Sequence, residues 1–143
     1  MPENLIAKTS TTIRLPVSSV WTALTEPSVI KMYMFGAKVE SDWKQGSPIT
    51  WSGVWEGKAY TDKGVILKFE PFHLLQYTHY SPLSGAPDVP ENYHTVTFDL
   101  AGTARGTLLT LSQDNNATEE ERQHSQQMWE NMLAGMKKLL EGS

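Results

Sequence analysis

The C-terminal stretch Thr118–Glu141, TEEERQHSQQMWENMLAGMKKLLE, restricts what the rest of the chain can do. Met128, Trp129, Met132, Leu133, Met136, Leu139 and Leu140 recur in steps of one, three and four, which puts them on one face of a helix. Thr118 and Glu121 have the spacing of a capping box, in which each side chain takes a backbone amide at the helix start. Glu119 and Glu120 suit the positive end of the helix dipole, Lys137 and Lys138 the negative end, and Gly142 is a fitting stop. At about 1.5 Å per residue the helix is roughly 36 Å long, the width of a small domain. A helix in water draws most of its stability from packing, so the preceding residues must provide a surface that covers this face.

They provide strands. Leu5–Leu15 alternates, with Ala7, Thr9, Thr11, Ile13 and Leu15 on one side and Lys8, Ser10, Thr12 and Arg14 on the other, the pattern of an antiparallel strand with one wet face. Pro16 ends it. Val17, Val20, Trp21 and Leu24 then fall at helical spacing as far as Pro27, after which Ser28 can cap a second short helix through Met32. Ala37–Trp43 and Ile49–Glu56 read as strands, the latter with Ile49, Trp51 and Trp55 on one face and Gly53 marking a bulge or close approach. A turn is expected at Asp62-Lys63-Gly64, followed by a strand with Val65, Leu67 and Phe69 inward and Lys68 and Glu70 outward. Leu74–Tyr80 places Leu75, Tyr77 and His79 on one face. Beyond the loop SPLSGAPDVPEN, Tyr93–Leu100 does the same with His94, Val96, Phe98 and Leu100, and Thr107–Gln113 with Leu109 and Leu111. The order predicts an α+β fold: a twisted antiparallel sheet of six to seven strands wrapped around the long C-terminal helix, with two short helices after strand one.

Composition narrows the functional classes. A chain of 143 residues, 39% hydrophobic and 20% charged, is expected to form one globular domain over residues 1–143. No apolar run reaches membrane-spanning length and MPENLIAKTS lacks a signal-peptide core, so a cytoplasmic location is expected. The absence of cysteine excludes disulfides, thiolate metal sites and cysteine nucleophiles. A net charge of -4 without a basic run argues against nucleic acid or anionic membrane as partners. No dinucleotide, phosphate-loop or zinc-protease motif occurs, and Ser84-Gly85 is no nucleophile elbow; the reading assigns no cofactor and no catalytic residue.

The expected inner face sets Trp51, Trp55, Phe69, Tyr77, His79 and Phe98 against Trp129 and Met132. Such rings and thioethers make either a filled core or a cavity for a small apolar or aromatic molecule, with tyrosine and histidine as polar hooks. His79 and His94 flank the long loop and oppose each other if their strands pair, and two imidazoles can bind a metal or pass a proton. Glu70 and Asp99 are predicted outward and no carboxylate is placed beside the histidines. Neither a metal site nor a converging carboxylate pair is therefore expected.

VWTALTEP (Val20–Pro27), the Gly64-Val65 strand with Pro71, LLQYTHY (Leu74–Tyr80), TVTFDL (Thr95–Leu100), GTLLTLSQ (Gly106–Gln113) and the Trp129, Leu133, Leu140 helix follow one another over nearly the whole chain. This order resembles the START-like (SRPBCC) superfamily with its helix-grip fold, and more closely the family of homologues of the activator of heat-shock-protein-90 ATPase. The resemblance implies a cavity between sheet and helix, whose lining then extends to Met34, Phe35, His94 and Met128. Met128 stands where the family usually has glycine and is expected to intrude on that cavity. The resemblance implies non-catalytic binding of a small hydrophobic ligand by a monomer or homodimer, in a setting related to stress. It also allows a co-chaperone-like domain that docks on a chaperone. A cyclase or dehydratase using Tyr77 or His79 as acid or base is the third alternative.

Overall fold

Apolar residues at helical spacing form one long helix, Glu119–Glu141 (α3), in a computed structural model that describes residues 5–34, 36–82 and 85–142, Trp55 by its backbone alone. Its inward face buries Trp129, Met132, Leu133 and Met136, with Ser125 one turn earlier. The capping box forms in a slightly extended version. The Thr118 hydroxyl accepts from the Glu121 amide at 3.0 Å, and the Glu121 carboxylate accepts from Ala117, one residue before the cap, at 2.9 Å.

The cover is a seven-stranded antiparallel sheet in the order β1-β7-β6-β5-β4-β3-β2. Its strands are β1 (Leu5–Ile13), β2 (Lys38–Ser41), β3 (Pro48–Trp55), β4 (Lys58–Glu70), β5 (Leu74–His79), β6 (His94–Thr103) and β7 (Gly106–Asn116). Two short helices, α1 (Val17–Thr25) and α2 (Pro27–Tyr33), follow β1. This is the helix-grip arrangement. Strands two to seven form a meander, and β1 joins its far side by pairing with β7, Ile13 opposite Thr107 and Leu5 opposite Asn116. Helix α3 starts beside Leu5, where Asn116 Nδ2 donates to the Leu5 carbonyl, and ends beside Arg14, whose amide donates to Glu141 at 2.8 Å. The helix therefore runs alongside β1 in the same direction. Among the described residues no helix is long and apolar enough to cross a membrane.

Three local expectations are corrected. Helix α2 begins with Pro27 in its first position, which needs no amide partner, and Ser28 donates to Glu26 at 3.3 Å instead of capping. The turn expected at Asp62-Lys63-Gly64 lies earlier, at Glu56-Gly57. Both residues have positive φ (50° and 81°), as a two-residue type I′ hairpin requires, and β4 continues through Asp62 unbroken. Gly64 serves close strand approach, since a Cβ there would sit 1.7 Å from the Thr78 carbonyl oxygen. The third correction concerns facing. Val65 and Leu67 are 41% and 38% exposed while Ile66 between them is fully buried. An irregularity between Ile66 and Lys68 then shifts the alternation by one, so Phe69 turns inward as expected.

Candidate functional site

The inner face carries a row of rings from β3 to α3. Trp51 and Tyr77 lie 4.9 Å apart between ring centroids, Tyr77 and Phe98 6.0 Å, and Phe98 meets Trp129 edge-on at 6.5 Å. The sequence reading brings these four together correctly, with Met132 buried beside them. Trp129 is also fixed by polar contacts. Its indole N–H donates to Gln113 at 2.6 Å, and the Gln113 amide lies 3.4 Å from both Asn116 and Ser125. Phe69 belongs to a different group and packs edge-on against Trp21 of α1 at 5.2 Å. Met128 does not intrude: it is 39% exposed, on the side of α3 that leaves the sheet. Phe35 and the Trp55 side chain lie outside the described residues.

The rings fill most of the seam. The space left at the end near α2 is a cavity of about 10 Å³, bounded by Tyr33, Met34, Trp43, Trp51, Tyr77 and Phe98 together with aliphatic side chains. That is room for one water at most. Outside it lies an open groove of about 510 Å³ along the edge strand, formed by Pro27, Glu40, Asp42, Pro48 and neighbours. Val39 and Trp43 border both spaces. Trp43 is half-buried with φ at 56°, a conformation that costs a non-glycine residue about 1–3 kcal/mol. The two tyrosines beside the cavity differ. The Tyr33 hydroxyl donates to the Ala23 carbonyl at 2.8 Å, whereas Tyr77 reaches the cavity wall without such a bond to a described residue. Burial pushes the pKa of both phenols up, so both stay protonated. Tyr33 and Trp43 were missed as lining residues, because both precede or follow turns where periodicity gives no facing.

Beyond Trp51 the inner face becomes polar. His79 packs edge-on against Trp51 at 5.2 Å and pairs with His94 across the β5–β6 ladder, as expected. A carboxylate does stand on that face, contrary to the expectation. Asp62 is the register partner of Trp51, and its Oδ2 accepts from His79 Nε2 at 2.9 Å. Its place there follows from the turn at Glu56-Gly57, which pairs residues whose numbers sum to that of Trp55 and Lys58. The Asp62 side chain is 16% exposed, and its Oδ1 is, among the described residues, the buried side-chain oxygen left without a partner. Burial and the negative charge of Asp62 together push the neighbouring Tyr60 phenol up. His94 Nδ1 lies 2.9 Å from the Asp114 carbonyl, which can only accept, so that nitrogen carries the proton. Its Nε2 faces Glu121 at 3.9 Å. Among the described residues no three potential ligands converge on a point where a metal would sit.

The sequence profile described as Activator of Hsp90 ATPase homolog 1-like protein matches residues 14–141. The chain belongs to this family. The chain is similar to ChR145 from Cytophaga hutchinsonii, whose solution structure is 54% identical over 99% of this chain and 97% of that one, with a TM-score of 0.88. NE0264 from Nitrosomonas europaea shares the fold at 21% identity, covering 96% of this chain and 95% of its own, with a TM-score of 0.76. DynU16, from the dynemicin biosynthetic locus, shares it at 18% identity over 98% of this chain and 48% of its own, with a TM-score of 0.79. No curated protein matches.

Proposed function

We propose that this Hsp90 ATPase activator homolog 1-like chain binds a small apolar or aromatic molecule in the seam between sheet and helix, without transforming it. One observation carries the reading: Trp43, on a strained backbone, stands with Val39 between a small aromatic cavity and an open groove. Turning that one side chain outward would join the two spaces and expose Tyr33, Met34, Trp51, Tyr77 and Phe98 to a ligand. Strain at a position that must move is a common feature of binding sites. Occurrence of the fold in a biosynthetic locus supports a role with small molecules.

Native mass spectrometry and a thermal-shift panel of neutral aromatic compounds test the proposal. A ligand present at 100-fold excess over its Kd stabilises by about 2.7 kcal/mol. Trp43→Ala, which opens the wall permanently, should admit larger compounds than the wild type. No bound mass and no shift with any compound, in either protein, removes the reading. Docking on a chaperone is the second reading, and the family's own description favours it. A pull-down and an ATPase assay with the chaperone decide that one; unchanged turnover and no capture end it.

A further inference from the structure

The Asp62–His79 pair spans β4 and β5 beyond the last paired residues of their ladder, beside the isolated bridge of Lys63 to Tyr80. It is incompletely satisfied. An ionised carboxylate can accept about four hydrogen bonds, yet His79 occupies Oδ2 alone and Oδ1 has no partner among the described residues. A buried oxygen of this kind is a standing preference for a donor. The surrounding charge says which donor. Asp62 and Glu121 are the carboxylates facing the two imidazoles. The cations closest in sequence are engaged elsewhere, Lys63 with Asp88 and Arg122 with Glu119. An anion is repelled from this end of the seam, and a cation is drawn to it. The Trp51 ring lies alongside, edge-on to His79, and an indole attracts a cation that reaches its face.

We propose that Asp62, oriented by His79, is the anchor for the protonated amine of an aromatic ligand whose ring packs on Trp51. The inference rests on the small-molecule reading above and specifies its chemistry: an aryl-alkyl ammonium instead of a purely apolar compound. The ammonium donates to Oδ1, which is buried in this structure, so neighbouring side chains must move to admit it. The existing bond from His79 holds the carboxylate in place while that happens. Asp62 acts here as a binding residue, and no covalent step is involved.

Tryptamine and its neutral isostere 3-propylindole are the probes, titrated by calorimetry at pH 7.5 into wild type and into Asp62→Asn. The wild type should bind tryptamine at least tenfold more tightly than 3-propylindole. Asp62→Asn should bind both alike, at the affinity of the neutral compound. Equal affinities in the wild type, or a preference that survives in Asp62→Asn, overturn the anchor and leave the apolar binding reading standing. Binding of neither probe overturns both. Circular dichroism checks that the variant folds. If it does not, the side-chain carboxyl carbon of Asp62 in labelled wild type reads the contact directly. A resonance that moves with tryptamine and not with 3-propylindole supports the anchor, and one indifferent to both defeats it.

Discussion

Gln113 shows what one buried polar side chain does at the seam. It receives the indole proton of Trp129 and extends its amide toward Asn116 and Ser125, so strand β7 and helix α3 are joined by hydrogen bonds inside an apolar core. Replacing it with leucine keeps the volume roughly constant and strands the indole N–H. The expected loss is about 1–3 kcal/mol in urea unfolding, the usual consequence of a buried donor left unpaired. Trp129→Phe made in the Gln113→Leu background should cost less than it does in the wild type, because the donor is already useless; additive losses would show that the bond contributes little. Neither this network nor Asp62 was legible in the sequence. Alternation predicts which way a residue faces, and says nothing about which polar atoms meet. For Asp62 even the facing was lost, because Asp-Lys-Gly has the composition of a turn while the true turn used Glu56 in a conformation that glutamate seldom takes.

Strand β4 is the element in which reading and structure diverge most, and the reasons are geometrical. Its irregularity between Ile66 and Lys68 resets the inside and outside of the strand, so no single phase of alternation describes it. The sequence gives little sign of this, since Val65, Ile66 and Leu67 are equally apolar and two of the three remain exposed. Gly64, taken as a turn residue, is where β5 comes closest. Gly64→Ala should destabilise by about 3 kcal/mol or more, as a Cβ pressed into backbone cannot be relieved by a rotamer change. Urea denaturation reads this, and a loss below 1 kcal/mol would mean the two strands separate there easily. Helix α3, by contrast, was legible except at Met128, which lies off the buried face. Its caps, dipole-matched charges and apolar face all agree, and a helix carries its whole signal in local sequence.

For the molecule as a whole, the order of elements was enough to give the architecture, while the amount of free space inside it was not. Volume depends on how side chains interlock, and rings that line a cavity and rings that fill one have the same pattern in sequence. The two ends of the fold are also tied by charge. Glu141, at the last turn of α3, accepts from Lys137 and from the Arg14 amide, which hold its carboxyl down to about 2. A carboxyl depressed by folding adds stability above its ordinary value of 4.5, and this is lost as the pH falls through the window from about 4.5 to 2. Unfolding measured across that range should show a shallower fall for Glu141→Gln than for the wild type; parallel curves would mean the tie does not matter.

The parallel course of β1 and α3 has a mechanical corollary. Tension applied between Leu5 and Gly142 pulls the strand and the helix in opposite senses along their common length. The packing of α3 along β1 would then be loaded in shear, while the pull enters β1 and β7 through Leu5 and Asn116, which stand opposite each other. The contact between helix and strand would, on this geometry, resist the ends of the chain being drawn apart.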